Sequence, residues 1–96
     1  MILEVAILNV RPNQAPDFER AFRTAEPIIS SSRGYQRHEL RRCVETPSRY
    51  LLLVWWQDVE SHTVGFRGSP QYGRWKKLLH HFYEPFPVVE HYEALA

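Results

Sequence analysis

The chain has 96 residues, 44% hydrophobic and 24% charged, and this length excludes a separate cofactor-binding domain. We therefore predict one domain over residues 1–96. The chain has twelve Lys and Arg residues and eleven Asp and Glu residues. The basic residues form no stripe of the kind that would indicate nucleic-acid binding. A chain this short buries only about 60–65% of its unfolded surface, so a second subunit is expected to bury more.

The cysteine count and the first residues bear on the cellular compartment. Cys43 is the only cysteine, which excludes a disulfide within one chain and a cysteine-based zinc site. The apolar start, residues 1–8, carries an acid at Glu4, lacks a basic leader and a small-residue cleavage site, and is too short to span a bilayer. We expect a cytoplasmic protein that does not bind membranes.

The first half of the chain predicts a strand, a helix and a second strand. Ile2–Val10 is apolar on both alternating faces, which is typical of a strand covered on both sides. Apolar residues at helical spacing between 15 and 29 predict about four turns of helix, with Pro27 expected to kink it or open its last turn. Tyr35–Glu45 is mostly polar and suits an edge strand.

The next part of the chain predicts a third strand followed by a short helix. A turn at 46–48 leads into Tyr50–Trp56, a continuous apolar run that predicts a central strand. Successive strand residues face opposite sides, so Trp56 and Trp55 should face the helices and a partner subunit in some order. Asp58 is expected to cap a short helix that runs through His62 to Phe66.

A second helix and a last strand complete the pattern. Ser69 followed by Pro70 signals a helix start, Pro85 closes the helix, and Phe86–Tyr92 reads as a strand. The order β-α-β-β-α-β predicts an α+β, ferredoxin-like fold with a four-stranded antiparallel sheet. Helices cover one face of such a sheet, so the apolar second face predicts a homodimer whose two sheets form a barrel.

Several short motifs coincide with those of a known family. They are the strand ending in Asn9, the Phe18 helix, Gly34-Tyr35, Arg49-Tyr50, Trp56 before an acidic helix start, Ser69-Pro70-Gln71-Tyr72 and His91-Tyr92. Over nearly all of its length the chain resembles the antibiotic biosynthesis monooxygenase family of small dimeric α/β-barrel proteins. The resemblance implies the fold strongly and the chemistry weakly, because the family and its relatives include oxygenases and heme-degrading enzymes.

Resemblance to the quinone-forming branch implies oxygenation of a phenol or quinol by O2 without a metal or flavin. That branch uses a strand tryptophan, an asparagine four residues earlier and a tyrosine six residues later. Trp56 matches the tryptophan, while Leu52 and His62 occupy the other two positions. A basic residue of the last helix falls near Lys76, where it would favour an anionic substrate.

The heme-degrading branch is similar in fold and provides an alternative. Its first-strand asparagine corresponds to Asn9, but Phe66 and Lys76 stand where it has a tryptophan and the histidine that binds iron. His80 and His81 follow one turn later. Adjacent helical positions diverge by about 100°, so these two rings are not expected to bind one ion. Heme is therefore a minor alternative and no metal site is predicted.

Each candidate residue also has a purely structural interpretation. Trp56 is a pocket wall or core filler, and Asn9, if buried, must bond to the protein or to a ligand. His62 suits a general base for a phenol if it titrates near neutrality, but could be a surface histidine. His38 faces a pocket or solvent, and Tyr72 lies on the buried helical stripe with a hydroxyl that needs a partner.

We expect a monooxygenase that acts on an aromatic, phenolic or quinol-like molecule in one cavity beside Trp56. The residues assigned to it are catalytic Asn9, His62 and Trp56 and substrate-binding Phe66, Tyr72, Lys76 and His38. Asn9 and His62 would hold or deprotonate the substrate hydroxyl. The alternative is a non-catalytic dimeric protein that binds an aromatic metabolite or heme. His91 is expected at the subunit interface or the pocket rim.

Overall fold

Four strands and two helices follow one another as β-α-β-β-α-β in the computed structural model, which describes all residues from 1 to 96. This confirms the predicted ferredoxin-like fold. The elements are β1 (Ile2–Asn9), α1 (Ala15–Ser30), β2 (Tyr35–Arg42), β3 (Arg49–Trp56), a π-helix (Ser61–Phe66), α2 (Pro70–Leu79), a short 3-10 helix (His80–Phe82) and β4 (Val89–Tyr92).

The sheet has the order β2-β3-β1-β4, with every neighbouring pair antiparallel. β1 and β3 are central and pair along their full length, and β2 is an edge strand, as its polar composition predicts. β4 is shorter than the predicted Phe86–Tyr92. Pro85 and Pro87 supply no backbone N–H group, so regular pairing begins only at Val89.

The two faces of the sheet differ in what covers them. Residues of β1 and β3 that point toward the helices are buried, namely Glu4, Ala6, Leu8, Tyr50, Leu52, Val54 and Trp56. Residues on the opposite face remain partly exposed in the single chain, among them Leu3, Val5, Leu53 and Trp55. Trp56 therefore faces the helices, whereas Trp55 lies on the open face beneath the guanidinium of Arg37, 3.9 Å from its ring centroid.

Both helices pack their apolar stripes on the first of these faces. Phe18, Phe22, Ala25 and Ile29 of α1 and Trp75 and Leu79 of α2 are buried there. Pro27 lies inside α1, which continues to Ser30. The aromatic rings contact one another across the layer, as in the pair Phe18 and Tyr50, whose centroids are 4.9 Å apart. Neither helix has the length and apolar character needed to cross a bilayer.

Asp58 begins the segment between β3 and α2 as predicted, because its carboxylate accepts hydrogen bonds from the amide and the hydroxyl of Ser61. The short helix predicted here is a π-helix over Ser61–Phe66. π-Helical turns are rare and occur often at functional sites. This one turns His62 and Phe66 into the layer between helices and sheet, and both are buried.

Candidate active site

Two polar side chains, Glu4 of β1 and His62 of the π-helix, are buried among the apolar residues of the core. Their relative exposures are 5% and 3%. The indole Nε1–H of Trp56 donates a hydrogen bond of 2.9 Å to Glu4 Oε1. His62 Nε2 lies 3.4 Å from the same oxygen. A buried carboxyl is costly to ionise, so its presence here points to a functional role.

The local sequence explains why these groups meet. Glu4 shares the helix-facing side of β1 with Ala6 and Leu8, because side chains alternate along a strand. The His62 ring stacks on the indole of Trp56, with centroids 5.4 Å apart and an angle of 19° between planes. Trp56 therefore orients both partners, one by a hydrogen bond and one by stacking.

A second histidine extends the pair toward the surface. His91 lies opposite Glu4 in the register between β4 and β1. Its Nε2 is 2.8 Å from Nδ1 of His62, and its side chain is half-buried. Glu4, His62 and His91 thus form a continuous row of polar groups that runs from the interior to the protein surface.

Burial dominates the electrostatics of this row. Loss of solvation raises the pKa of Glu4 to about 7, against the opposing effects of the Trp56 hydrogen bond and the positive charge of Arg67. Burial, together with the positive charges of Arg67 and His91, lowers the pKa of His62 to about 3. The pKa of His91 is also lowered, by burial and by Arg67. Near neutral pH both imidazoles are therefore uncharged and Glu4 is about half ionised.

A cavity of about 40 Å³ adjoins the row between the sheet and the helices. Glu4 and His62 contribute to its wall, and the remaining lining is mainly aromatic and aliphatic, including Phe66, Tyr72, Trp75, His80, Tyr83 and Phe86. This volume holds only a few water molecules, whereas pockets for drug-sized ligands measure about 300–1,000 Å³. A ligand of that size would fit only if the cavity became larger.

The segment that closes one side of the cavity is weakly held. Phe86 is 61% exposed, and its ring contacts His80 at a centroid distance of 5.0 Å. Residues 86–88 form no backbone hydrogen bonds and lie outside the regular elements. Segments of this kind open at the lowest free-energy cost. Arg67, which is exposed and has no carboxylate within ion-pair distance, also lines the cavity.

Some of the residues assigned from the sequence meet here. Phe66 and Tyr72 line the cavity together with His62. Trp56 is fully buried behind the wall, 5.9 Å from the Phe66 ring centroid, and contacts Glu4 and His62 rather than the cavity itself. The roles assigned to His62, Phe66, Tyr72 and Trp56 remain predictions, but the four side chains lie close enough together to belong to one site.

Asn9 does not join them, which differs from the expected arrangement. Its Oδ1 accepts a hydrogen bond of 3.0 Å from Nε of Arg49. Asn9 pairs with Arg49, whereas Ile2 pairs with Trp56, and these seven positions span about 23 Å along the strand. Asn9 also points to the open face, because it is an odd number of residues from Glu4. Asn9 and His62 therefore cannot point into one cavity within a single chain.

Lys76 and His38 also lie away from the cavity. Lys76 is exposed on α2, with Nζ 5.7 Å from the ring centroid of Tyr72. His38 Nε2 is 2.6 Å from a Glu26 carboxylate oxygen, and its Nδ1 is 2.5 Å from the hydroxyl of Tyr35. His38 lines a separate groove of about 400 Å³ between α1 and β2.

The residues present do not fit a heme. Lys76, at the position of the iron ligand in the heme-degrading branch, is an exposed amine, and His81 is exposed as well. His80 is packed between the rings of Tyr72, Tyr83 and Phe86. No step of the reaction is therefore assigned to heme.

Comparison with known proteins agrees with this fold and this topology. The family model described as antibiotic biosynthesis monooxygenase matches residues 1–78. The chain belongs to the antibiotic biosynthesis monooxygenase family. This confirms the resemblance inferred from the sequence motifs.

Several relatives cover nearly the whole of this family member. YczJ, an uncharacterized protein of Bacillus subtilis (strain 168), is 52% identical over 93 residues, 97% of this chain and 98% of its own. A proposed antibiotic biosynthesis monooxygenase from Bordetella bronchiseptica is 35% identical, with a TM-score of 0.95 over 99% of this chain and 97% of that one. SnoaB of Streptomyces nogalater, a cofactor-independent oxygenase, has a TM-score of 0.85 over 99% of this chain and 93% of its own. Its 18% identity shows a shared fold alone.

Sequence reasoning identified His62 but missed Glu4 and His91 as members of the same cluster. Glu4 could have been found from strand periodicity, since it is the one acid on the side of β1 that carries Ala6 and Leu8. His91 had no comparable signal, because its distance from His62 depends on the pairing of β4 with β1.

Proposed function

We propose that this member of the family is a cofactor-independent monooxygenase of aromatic, phenolic or quinol-like small molecules, with O2 as the oxidant. The observation that carries the proposal is the buried carboxyl of Glu4 at the wall of an aromatic cavity. Glu4 Oε1 is engaged by Trp56 and lies near His62, whereas Oε2 has no partner in the protein. A substrate hydroxyl bound in the cavity would donate its hydrogen bond to Oε2.

The proposed chemistry begins with that hydroxyl. Removal of its proton makes the arene electron-rich, and the anion passes an electron to O2. A carboxylate whose pKa is about 7 is a stronger base than an ordinary one. For an anthrone-type substrate, one CH2 group becomes a carbonyl with one oxygen atom of O2. The second oxygen leaves as water with the two hydrogens, so the reaction requires no external reductant.

This assignment modifies the role expected for His62. An imidazole with a pKa of about 3 is a poor base at neutral pH. Its stacking on Trp56 and its contact with Glu4 suit a residue that positions the carboxyl. We therefore place Glu4 in contact with the substrate and His62 beside it, with Phe66 and Tyr72 as aromatic walls.

Substrate access is proposed to involve the segment from Phe86 to Val88. Displacement of the Phe86 ring from His80 would open the cavity at the cost of few contacts. Arg67 at the mouth has no ion-pair partner and would attract a phenolate or another anionic substituent. Lys76 lies outside the cavity but is close enough to Tyr72 to add to this positive charge.

We also propose that the protein is a homodimer. The open face of the sheet presents Leu3, Val5, Leu53 and Trp55 in adjacent strands, and Ile7 on the same face is 50% exposed. A continuous apolar face of this kind on a small domain favours association. Packing two such faces across a twofold axis would complete the predicted barrel.

Oxygen uptake tests the function directly. Purified protein is mixed with a panel of anthrones and hydroquinones, and O2 consumption is compared with that of buffer. We expect accelerated uptake with at least one compound and a loss of about 100-fold or more in Glu4→Gln, the usual contribution of a general base. Glu93→Gln, in the exposed C-terminal tail, is the matched control.

The same panel separates the two functional classes. Ligand binding, measured by quenching of tryptophan fluorescence, without uptake faster than in buffer would overturn the enzyme proposal. That outcome would favour the non-catalytic binding protein. A hemin titration tests the remaining alternative. We expect no shifted Soret band at stoichiometric protein, because Lys76 is an exposed amine and His80 is packed among the rings of Tyr72, Tyr83 and Phe86.

A further inference from the structure

The buried carboxyl is connected to the protein surface by two imidazole rings, those of His62, which lines the cavity, and of His91, which does not. Glu4 Oε1 is 3.4 Å from His62 Nε2, and His62 Nδ1 is 2.8 Å from His91 Nε2. The first contact is within ion-pair distance but lacks hydrogen-bond geometry in the ligand-free protein, as is frequent in catalytic pairs before ligand binds, and it must tighten for a proton to pass. His62 Nδ1 is hydrogen-bonded to His91, and Nε2 is the nitrogen that lies beside the Glu4 carboxyl.

The two ends of the row are accessible. Every fully buried side-chain nitrogen or oxygen in the protein has a hydrogen-bond partner. Glu4 Oε2 and His91 Nδ1 have no partner, so neither atom is sealed off. Glu4 lines the cavity, whereas His91 does not. One end of the row thus faces the proposed substrate and the other faces bulk water.

We propose that Glu4 exchanges its proton with solvent through His62 and His91, by a linked change of tautomer in both rings. This inference rests on the proposed function, in which the Glu4 carboxylate accepts the proton of the substrate hydroxyl. The row would reset the ionisation of Glu4 even while an aromatic ligand fills the cavity. The proton then taken from substrate on Oε2 is returned to the oxygen that leaves as water.

The proton positions balance in both states. When Glu4 is a carboxylate, His62 Nε2–H donates to Oε1, His91 Nε2–H donates to His62 Nδ1, and His91 Nδ1 accepts from water. When Glu4 is a carboxylic acid, Oε1–H donates to His62 Nε2, His62 Nδ1–H donates to His91 Nε2, and His91 Nδ1–H faces water. Going from acid to carboxylate moves one proton along each link and releases one at His91. Neither ring carries a charge in either state.

The electrostatic surroundings favour neutral rings throughout. The titratable and charged groups around Glu4 are His62 and Arg67 from the π-helix and its end, Tyr72 and His80 from α2 and the turn after it, Tyr83, and His91 from β4. Arg67 disfavours a proton on both imidazoles of the row, and burial acts in the same direction. Both rings are therefore neutral near pH 7, where Glu4 titrates.

The test is an NMR titration of the ligand-free protein labelled with 15N in histidine and 13C in the glutamate carboxyl. We expect His62 and His91 to change together from the Nδ1–H tautomer on the acid side of pH 7 to the Nε2–H tautomer on its alkaline side. Both changes should share one midpoint, near pH 7, with the Glu4 carboxyl signal. His62→Gln and His91→Gln assign the two rings among the five histidines.

Each outcome of this titration decides the proposal. The proposal is overturned if either ring keeps the same tautomer across the whole pH range. It is also overturned if either ring becomes an imidazolium near pH 6.5. Glu4→Gln should abolish the shared midpoint, while His81→Gln, an exposed histidine outside the row, should leave it in place. If Glu4→Gln does not fold, the titration of the unaltered protein still decides. A shared midpoint without O2 uptake would support the proton exchange through His62 and His91 and reject the monooxygenase. O2 uptake without a shared midpoint would support the monooxygenase and reject the proton exchange.

Discussion

The ionisation of Glu4 should make the stability of the protein depend on pH in a way that one substitution removes. In the unfolded chain the carboxyl has its ordinary pKa of 4.5, and burial raises this to about 7 in the folded protein. The folded state therefore holds a proton that the unfolded state has already lost. The stability that Glu4 contributes at low pH is lost as the pH rises from about 4.5 to about 7.

The size of the effect follows from these two values. A difference of about 2.5 pKa units corresponds to about 3 kcal/mol at 1.36 kcal/mol per unit. Glu4→Gln keeps the size of the side chain and an oxygen that accepts from Trp56, but it cannot ionise. Relative to wild type, the variant should gain about 3 kcal/mol of unfolding free energy between pH 4 and pH 8.

Urea unfolding followed by tryptophan fluorescence measures this difference at each pH. Comparing variant with wild type cancels the pH dependence of His62, which acts in the opposite direction below pH 6.5. Glu93→Gln, in the exposed tail, should give a constant difference. The reasoning is refuted if the Glu4→Gln difference also stays constant within about 0.5 kcal/mol from pH 4 to pH 8.

Three further predictions concern neighbouring features. Trp56→Phe removes the hydrogen bond that lowers the pKa of Glu4, so the 13C carboxyl midpoint should move above 7, and an unchanged midpoint would contradict the assigned contact. His62→Gln should gain about 3 kcal/mol of unfolding free energy relative to wild type between pH 6.5 and pH 4, because the unfolded imidazole takes up a proton that the folded one, with a pKa of about 3, does not; a difference between the two proteins that stays constant over this range would disprove this. Leu53→Arg on the open face should halve the sedimentation mass from about 23 kDa to 11.4 kDa, while the exposed control Lys77→Glu stays dimeric.

Much of the fold follows from local patterns. The apolar runs of β1 and β3, the helical spacing of α1 and the Ser69 and Pro70 signal of α2 each reflect a short-range preference that the tertiary structure reinforces. The capping hydroxyl of Ser69 accepts a hydrogen bond from the amide of Tyr72, as the pattern predicts. The differences lie where local signals compete, as at β4, where prolines delay the strand despite its apolar residues.

The candidate site was less accessible to such reasoning. His62 was recognised as a residue of suitable chemistry, but the pKa that governs its use depends on burial that the sequence does not display. Asn9 matched a family motif and yet faces the open side of the sheet, because its register on β1 decides its direction. A motif identifies a position in the chain, whereas strand register decides what its side chain can reach.

By itself the sequence determined an α+β fold, the order of its elements, two apolar sheet faces and the family to which the chain belongs. Only the tertiary structure decided that Glu4, His62 and His91 meet, since they are separated by 58 and 29 positions along the chain. It also decided their charges. Desolvation depends on everything packed around a group, so a glutamate in an apolar strand became a group that titrates near pH 7 only after the fold had buried it.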